Sequence, residues 1–412
     1  MKTIGIIAEY NPFHTGHEYH ILKTKELTGA DRVVVIMSGN FVQRGTPAIC
    51  DKYTRATAAI LGGADLVLEL PAYYSCGSAE FFAMGAVSIL NQLQIIDYLS
   101  FGTESDNIES LNQIADILVN EPDEYKSLLM NELNSGNNMA VARSNALLTY
   151  TGNSLFHDLV NSPNNILALE YLKALKNFCS PISPVNILRE GAGYHDKSFD
   201  MKHTSATALR ECFNNKDFRL IRNFTPDRIF NLYENNHNLT LPILPEDIDN
   251  LLYYAIISAK NNLTDYLDIS TNLEGKIINY IKSGNLLKFD DLILSLKSKE
   301  FTYTRISRAL LHILLDIRTS HYNAIKASNY PGFARILAFN TAGREIIGEI
   351  KSKSTLPVIT NLSDNINQLS DINKMIIEKD IYASNIYRCI VNTKYHHMLK
   401  DEFRTHPVLI QD

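Results

Sequence analysis

The chain contains no tryptophan and no uninterrupted apolar stretch of the roughly 18–20 residues that a membrane-spanning helix needs. A transmembrane protein is therefore not expected. Its five cysteines (Cys50, Cys76, Cys179, Cys212 and Cys389) are scattered, odd in number and form no CxxC pair, which argues against a disulfide framework and a zinc ribbon. The chain also lacks an excess of positive charge: its net charge is −6. Any nucleic-acid contact must then rest on a local basic patch rather than on the whole surface. The N-terminal apolar run meets Glu9 and Asn11 too early for a signal peptide. No internal repeat stands out. A cytoplasmic protein without membrane contact is expected, and 412 residues are enough for two cored domains.

What is present concentrates near the N-terminus. A short apolar run, Thr3 to Ala8, enters the turn Glu9-Tyr10-Asn11-Pro12-Phe13, then His14-Thr15-Gly16-His17, then a helical pattern that closes at Gly29. Two imidazoles at positions i and i+3 of a helix start can face one ligand. Free N–H groups and the helix dipole make the same place suited to phosphate. Gly16 lets a ligand approach the backbone. A second stretch, His203 to Arg210, could place the hydroxyls of Ser205 and Thr207 and the Arg210 guanidinium on phosphate oxygens. Read alone, it is an ordinary helix start capped by Thr204 or Ser205.

The two stretches, in this order, resemble the HxGH and ISxTxIR signatures of the nucleotidyltransferase superfamily, with Thr204 where isoleucine is usual. Longer blocks sharpen the likeness. AEYNPFHTGHEYH, MSGNFVQRGTPAICDKYTRA, GADLVLELP, FGTES, SPNNILALEYLKAL and REGAGYHD together resemble the tRNA(Met) cytidine acetate ligase family. The resemblance implies a Rossmann-like α/β fold. It also implies two steps: acetate and ATP give acetyl-adenylate and pyrophosphate, then acetyl passes to N4 of the wobble cytidine of elongator tRNA(Met). ATP is the implied co-substrate, accompanied by magnesium that no acidic cluster would hold. The implied catalytic residues are His14, His17 and Arg210. The implied ATP contacts run from Ile7 through Ala8, Glu9, Tyr10, Asn11, Pro12, Phe13, His14, Thr15, Gly16, His17, Glu18 and Tyr19 to His20, joined by Gly102, Asn165, Arg189, Ser205 and Thr207. Two other readings stay open: an adenylyltransferase for a small metabolite, and a non-catalytic RNA-binding protein with a nucleotide fold.

Apolar strand candidates (Thr3–Ala8, Val33–Met37, Leu66–Leu70, Ile95–Phe101, Val185–Leu188) alternate with helical ones (Lys52–Leu61, Glu80–Leu90, Ile108–Val119, Ala168–Lys176). Such alternation predicts a parallel sheet covered on both faces, with ligands at the C-terminal strand ends. The expected division is an ATP-binding domain over residues 1–220 and a mostly helical, candidate tRNA-binding domain over 221–412. Residues 331–351 are expected as one long helix, and Leu356–Thr360 as a late strand. Between Phe301 and Lys353 stand eight basic residues against three acidic ones. Arg305, Arg308 and Arg335 lie there beside aromatics, a pattern that suits phosphates and unstacked bases. Asn40, Gln43, Arg44, Lys52 and Arg55 are further candidates for acid substrate or RNA. His195 and Asp196 are candidates to close a loop near the site. The sequence does not single out a metal ligand or an oligomeric state.

Overall fold

The computed structural model describes residues 1–189, 205–259, 262–284, 288–298 and 300–411. Ten strands are described: β1 (Thr3–Ala8), β2 (Arg32–Ser38), β3 (Phe41–Val42), β4 (Thr46–Pro47), β5 (Leu66–Leu70), β6 (Tyr98–Thr103), β7 (Ser183–Leu188), β8 (Ala334–Phe339), β9 (Val358–Ile359) and β10 (Val408–Leu409). The main sheet runs β10-β8-β5-β2-β1-β6-β7, with β9 beside β8, and β3 and β4 form a separate small hairpin. Strands β5, β2, β1, β6 and β7 pair in parallel. Successive residues of β2 feed opposite cores: Val34 and Ile36 enter one cluster, Val33, Val35 and Met37 the other. That is why these strands read as unbroken apolar runs rather than alternating ones.

Chain order moves outward from β1 through β2 to β5, then returns to the other side of β1 with β6 and β7. The reversal opens a crevice beyond the C-terminal ends of β1 and β6, the usual ligand position in such sheets. The helix Thr15–Thr28 leaves β1 at that crevice and stops at Gly29, whose left-handed backbone (φ 64°) closes it.

The expected helix over 331–351 is a strand followed by a helix. Ala-Arg-Ile-Leu-Ala-Phe forms β8, almost wholly buried and antiparallel to β5, and Asn340 then caps the helix Thr341–Lys353 by accepting the Gly343 N–H. A six-residue apolar run fits either period, and burial on both faces decides it. The sheet therefore does not end near residue 220: β8, β9 and β10 extend it. Elsewhere the later half is helical, as expected. The segment expected as a polar helical insertion, 123–153, holds the helices Asp123–Asn134 and Met139–Thr151.

Candidate active site

The crevice contains a cavity of about 290 Å³. The turn after β1, the start of the Thr15–Thr28 helix, the loop after β2, the ends of β6 and β7, and the start of the Ala206–Asn215 helix all line it. His14 is the N-cap of its helix: its Nδ1 accepts the Gly16 N–H at 3.1 Å, and its own backbone N–H is accepted by His17 Nδ1 at 3.2 Å. Each Nδ1 is thus an acceptor, so in the neutral rings the proton sits on Nε2. The cap that starts the helix therefore also sets the tautomer, and each ring offers an N–H donor to a ligand. The two rings lie 3.8 Å apart between centroids, with Tyr10 against His17 at 4.9 Å.

Gly16 has a reason that differs from the expected one. A Cβ there would stand 2.9 Å from the His14 ring, so the glycine makes room for the imidazole rather than for a ligand alone.

Burial, with His14, Arg189 and His20 nearby, holds His17 well below the ordinary histidine range. Burial and Arg189 bring His20 to about 4. Both rings are neutral at pH 7. Across the cavity, Arg210 donates to the Asn11 carbonyl at 2.7 Å and to Thr207 Oγ1 at 2.9 Å. Ser205 caps that helix through the Ala208 N–H. Arg44, Arg189 and Arg210 line the same space, where Glu9 is the one carboxylate among the described lining residues. Glu9 accepts the Gln43 N–H at 2.8 Å. The cavity is thus cationic, with hydroxyls and N–H groups around it, a lining suited to a polyanion. Phe82, Phe101, Leu167, Tyr171, Ile187 and Leu188 form an apolar wall beside it.

The sequence profile of the family described as HIGH Nucleotidyl Transferase matches residues 1–402. A tRNA(Met) cytidine acetate ligase of Clostridium novyi (strain NT) is 40% identical over 416 residues, all of both chains. One of Caldanaerobacter subterraneus subsp. tengcongensis is 39% identical over 388 residues, 94% of this chain and 95% of its own. The crystal structure of Thermotoga maritima TmcAL bound with alpha-thio ATP superposes with a TM-score of 0.91 at 31% identity, covering both chains fully. The chain belongs to the tRNA(Met) cytidine acetate ligase family.

Within this acetate ligase fold, Ile7, Ala8, Glu9, Tyr10, Asn11, His14, Gly16, His17, Tyr19, His20, Gly102, Arg189, Ser205, Thr207 and Arg210 all line the cavity, as do Gln43 and Arg44. Five candidates do not. Phe13 is core, and Pro12 follows a cis bond from Asn11. Thr15 ties its N–H to the Phe224 carbonyl, and Glu18 lies in the first turn of the same helix without lining the cavity. Asn165 accepts the Glu104 N–H at 3.0 Å and so fixes the turn after β6. Its neighbour Asn164 reaches the cavity instead and donates to Glu104. His195, Asp196, His203 and Thr204 lie outside the described residues.

Four of the residues offered to acid substrate or RNA are interior. Arg55 is fully buried and donates to the carbonyls of Cys50, Glu9, Ser38 and Gly39. Lys52 is buried between Glu69 (2.8 Å) and Glu402 (3.2 Å), and Arg335 is buried on the same two carboxylates. Asn40 is buried too and accepts the Lys52 N–H. The expected basic face over 301–353 is accordingly not one face: Arg335 points inward, and Arg318 rests on Asp316 and Asp265. Arg305 covers Phe301, and Arg308 lies 3.9 Å from Asp268.

The apolar wall had little signal in the sequence. Phe101 and Leu188 could have been found as the residues before Gly102 and Arg189 at strand ends. Phe82 and Tyr171 lie inside apolar helical patterns that read only as core. Among the described residues no cluster of three or more His, Cys, Asp or Glu side chains could hold a metal, and no helix is long and apolar enough to cross a membrane.

Proposed function

We propose that this protein activates acetate with ATP and transfers the acetyl group to N4 of the wobble cytidine of elongator tRNA(Met), in the cytoplasm. The observation that supports it best is the pairing, across one cavity, of two cap-fixed histidines with Arg210, Thr207 and Ser205. The relatives' names supply the acid and the acceptor.

An acetate oxygen attacks the α-phosphorus of ATP, and the bond from that phosphorus to the bridging oxygen of the leaving pyrophosphate breaks. The Nε2–H groups of His14 and His17 donate to the α/β-phosphate oxygens as charge develops. Arg210 and Thr207 hold the leaving pyrophosphate, and the apolar wall takes the adenine. In the second step the cytidine N4 attacks the acetyl carbon, the bond from that carbon to the AMP oxygen breaks, and AMP leaves. The amine's proton must go to a base. A flipped wobble base reaches the cavity only from a single strand, which an anticodon loop provides. Magnesium arriving with ATP would be held by the phosphates, since one lining carboxylate forms no cage for it. Residues 221–412 are assigned tRNA contacts, Arg305 and Arg308 among them, together with Arg44 on the loop after β2, whose Gly45 packs against the Arg308 backbone.

The test is ATP–pyrophosphate exchange with and without acetate, followed by nucleoside analysis of total tRNA after incubation with labelled acetate. Exchange that needs acetate, and N4-acetylcytidine in the digest, are expected. Exchange without any acid would point to a small-metabolite adenylyltransferase instead. His17→Ala is expected to abolish exchange and leave tRNA binding intact.

A further inference from the structure

A second cavity has a volume of about 330 Å³. The loop after β2 borders both: Asn40 lines the second, whereas Val42, Gln43 and Arg44 line the first. This loop is held on both sides. Arg55 fastens the carbonyls of Ser38 and Gly39, and Gly45 presses on the backbone of Ser307 and Arg308, where a Cβ would stand 2.4 Å from the Arg308 nitrogen. The two cavities therefore keep a fixed relation to one another.

The chain's last segment brings the positive charge. Arg388, Lys400, Arg404 and His406 line the second cavity. Arg388 is committed to the Leu399 carbonyl and Asp401. Lys400, Arg404 and His406 are exposed, and their side chains have no hydrogen-bond or ion-pair partner among the described residues. The two acids of the lining do not neutralise them. Asp51 accepts the Tyr53 and Thr54 N–H groups and the Thr54 hydroxyl, and Glu402 is bound by Lys52 and Arg335. An exposed arginine and lysine facing a cavity with their charge unmatched suit anionic oxygens in water-filled space.

We infer that this second cavity is a backbone-phosphate site for the RNA strand whose base enters the first. The inference rests on the proposed acetyl transfer to tRNA. A nucleotide turned out of its stack leaves its neighbours' phosphates within one or two sugar lengths, and the loop after β2 borders both cavities. RNA fits better than a free anion because the cations sit at the mouth on exposed stems rather than enclosed. Lys400 and Arg404 are RNA-positioning residues and take no part in acid activation.

The double variant Lys400→Ala/Arg404→Ala tests this. Its KM for tRNA should rise on the order of tenfold with kcat within about twofold. The slope of log kcat/KM against log salt should fall by about 1.4, two contacts at about 0.7 each for single strands. Acetate-dependent exchange, which involves no RNA, should not change. Lys400→Arg/Arg404→Lys should behave like the parent. An unmoved KM and salt slope would overturn the inference, as would exchange falling in step with transfer. Direct tRNA binding by the same proteins separates the two claims. Weakened binding by the alanine variant supports the cavity's role even if no acetylcytidine forms, a result that would sink the proposed reaction alone.

Discussion

Two clusters of charge stand at one end of the sheet, on either side of the loop after β2, and they are built from nearly the same residue types. Behind the loop after β2, Lys52 and Arg335 meet Glu69 and Glu402, all buried. In front of it, Arg44, Arg189 and Arg210 meet Glu9. The rear cluster is balanced. Against burial, which would raise it, Lys52 and Arg335 hold the Glu402 carboxyl at about 2. Burial, with Glu69 beside it, pushes the Asp380 carboxyl up to about 8, which favours its neutral form. Two cations then face two anions. The front cluster has cations in excess, and burial lowers His17 and His20 below the ordinary histidine range. Charge balance, rather than the presence of arginine, separates a staple from a binding site.

The largest effect that would sharpen this contrast is in the staple. Glu402→Gln leaves Lys52 and Arg335 with one carboxylate and should lower stability by about 3–5 kcal/mol. Urea unfolding checks it, and a loss under about 1 kcal/mol would mean water already screens the cluster. Next is Arg210→Ala in the front cluster. It should lower kcat/KM for exchange on the order of a hundredfold, roughly 3 kcal/mol of transition-state stabilisation, with an almost unchanged melting temperature. A large stability loss would make Arg210 a staple as well.

The smallest effect concerns pH. His17 and His20 titrate below the ordinary 6.5, so kcat/KM for exchange should show no histidine limb between pH 6 and 8. The sign for stability follows from linkage. His20, at about 4 folded and near 6.5 unfolded, supports the fold above pH 6.5, and that support is lost as pH falls towards 4. His20→Asn should flatten the acid side of a plot of melting temperature against pH.

The front cluster was legible in the sequence because its parts are local. His14 and His17 cap one helix, and Thr207 and Arg210 start another, so spacing alone brings each pair together. Strands β1 and β5 and the helix Lys52–Leu61 were equally plain. The rear cluster was not legible. Lys52 and Glu402 are 350 positions apart in a chain of 412, and no pattern in either neighbourhood announces the other. The same distance hid the order of the sheet: Ala334–Phe339 has the run of a buried strand, but its partner β5 lies more than 250 residues earlier. Where the sequence offered Lys52, Arg55 and Arg335 to RNA, it counted charge correctly and could not see burial.

The antiparallel strand β8 also has a meaning for synthesis. Strand β5 waits with an unpaired edge while more than 250 further residues are made, because the strand that covers it comes near the end. Glu402 arrives later still. A ribosome-bound chain thus carries most of the first cavity's lining before it can close the sheet beside it, and an exposed strand edge is an invitation to wrong partners. The first half of the protein is finished only by its last few dozen residues.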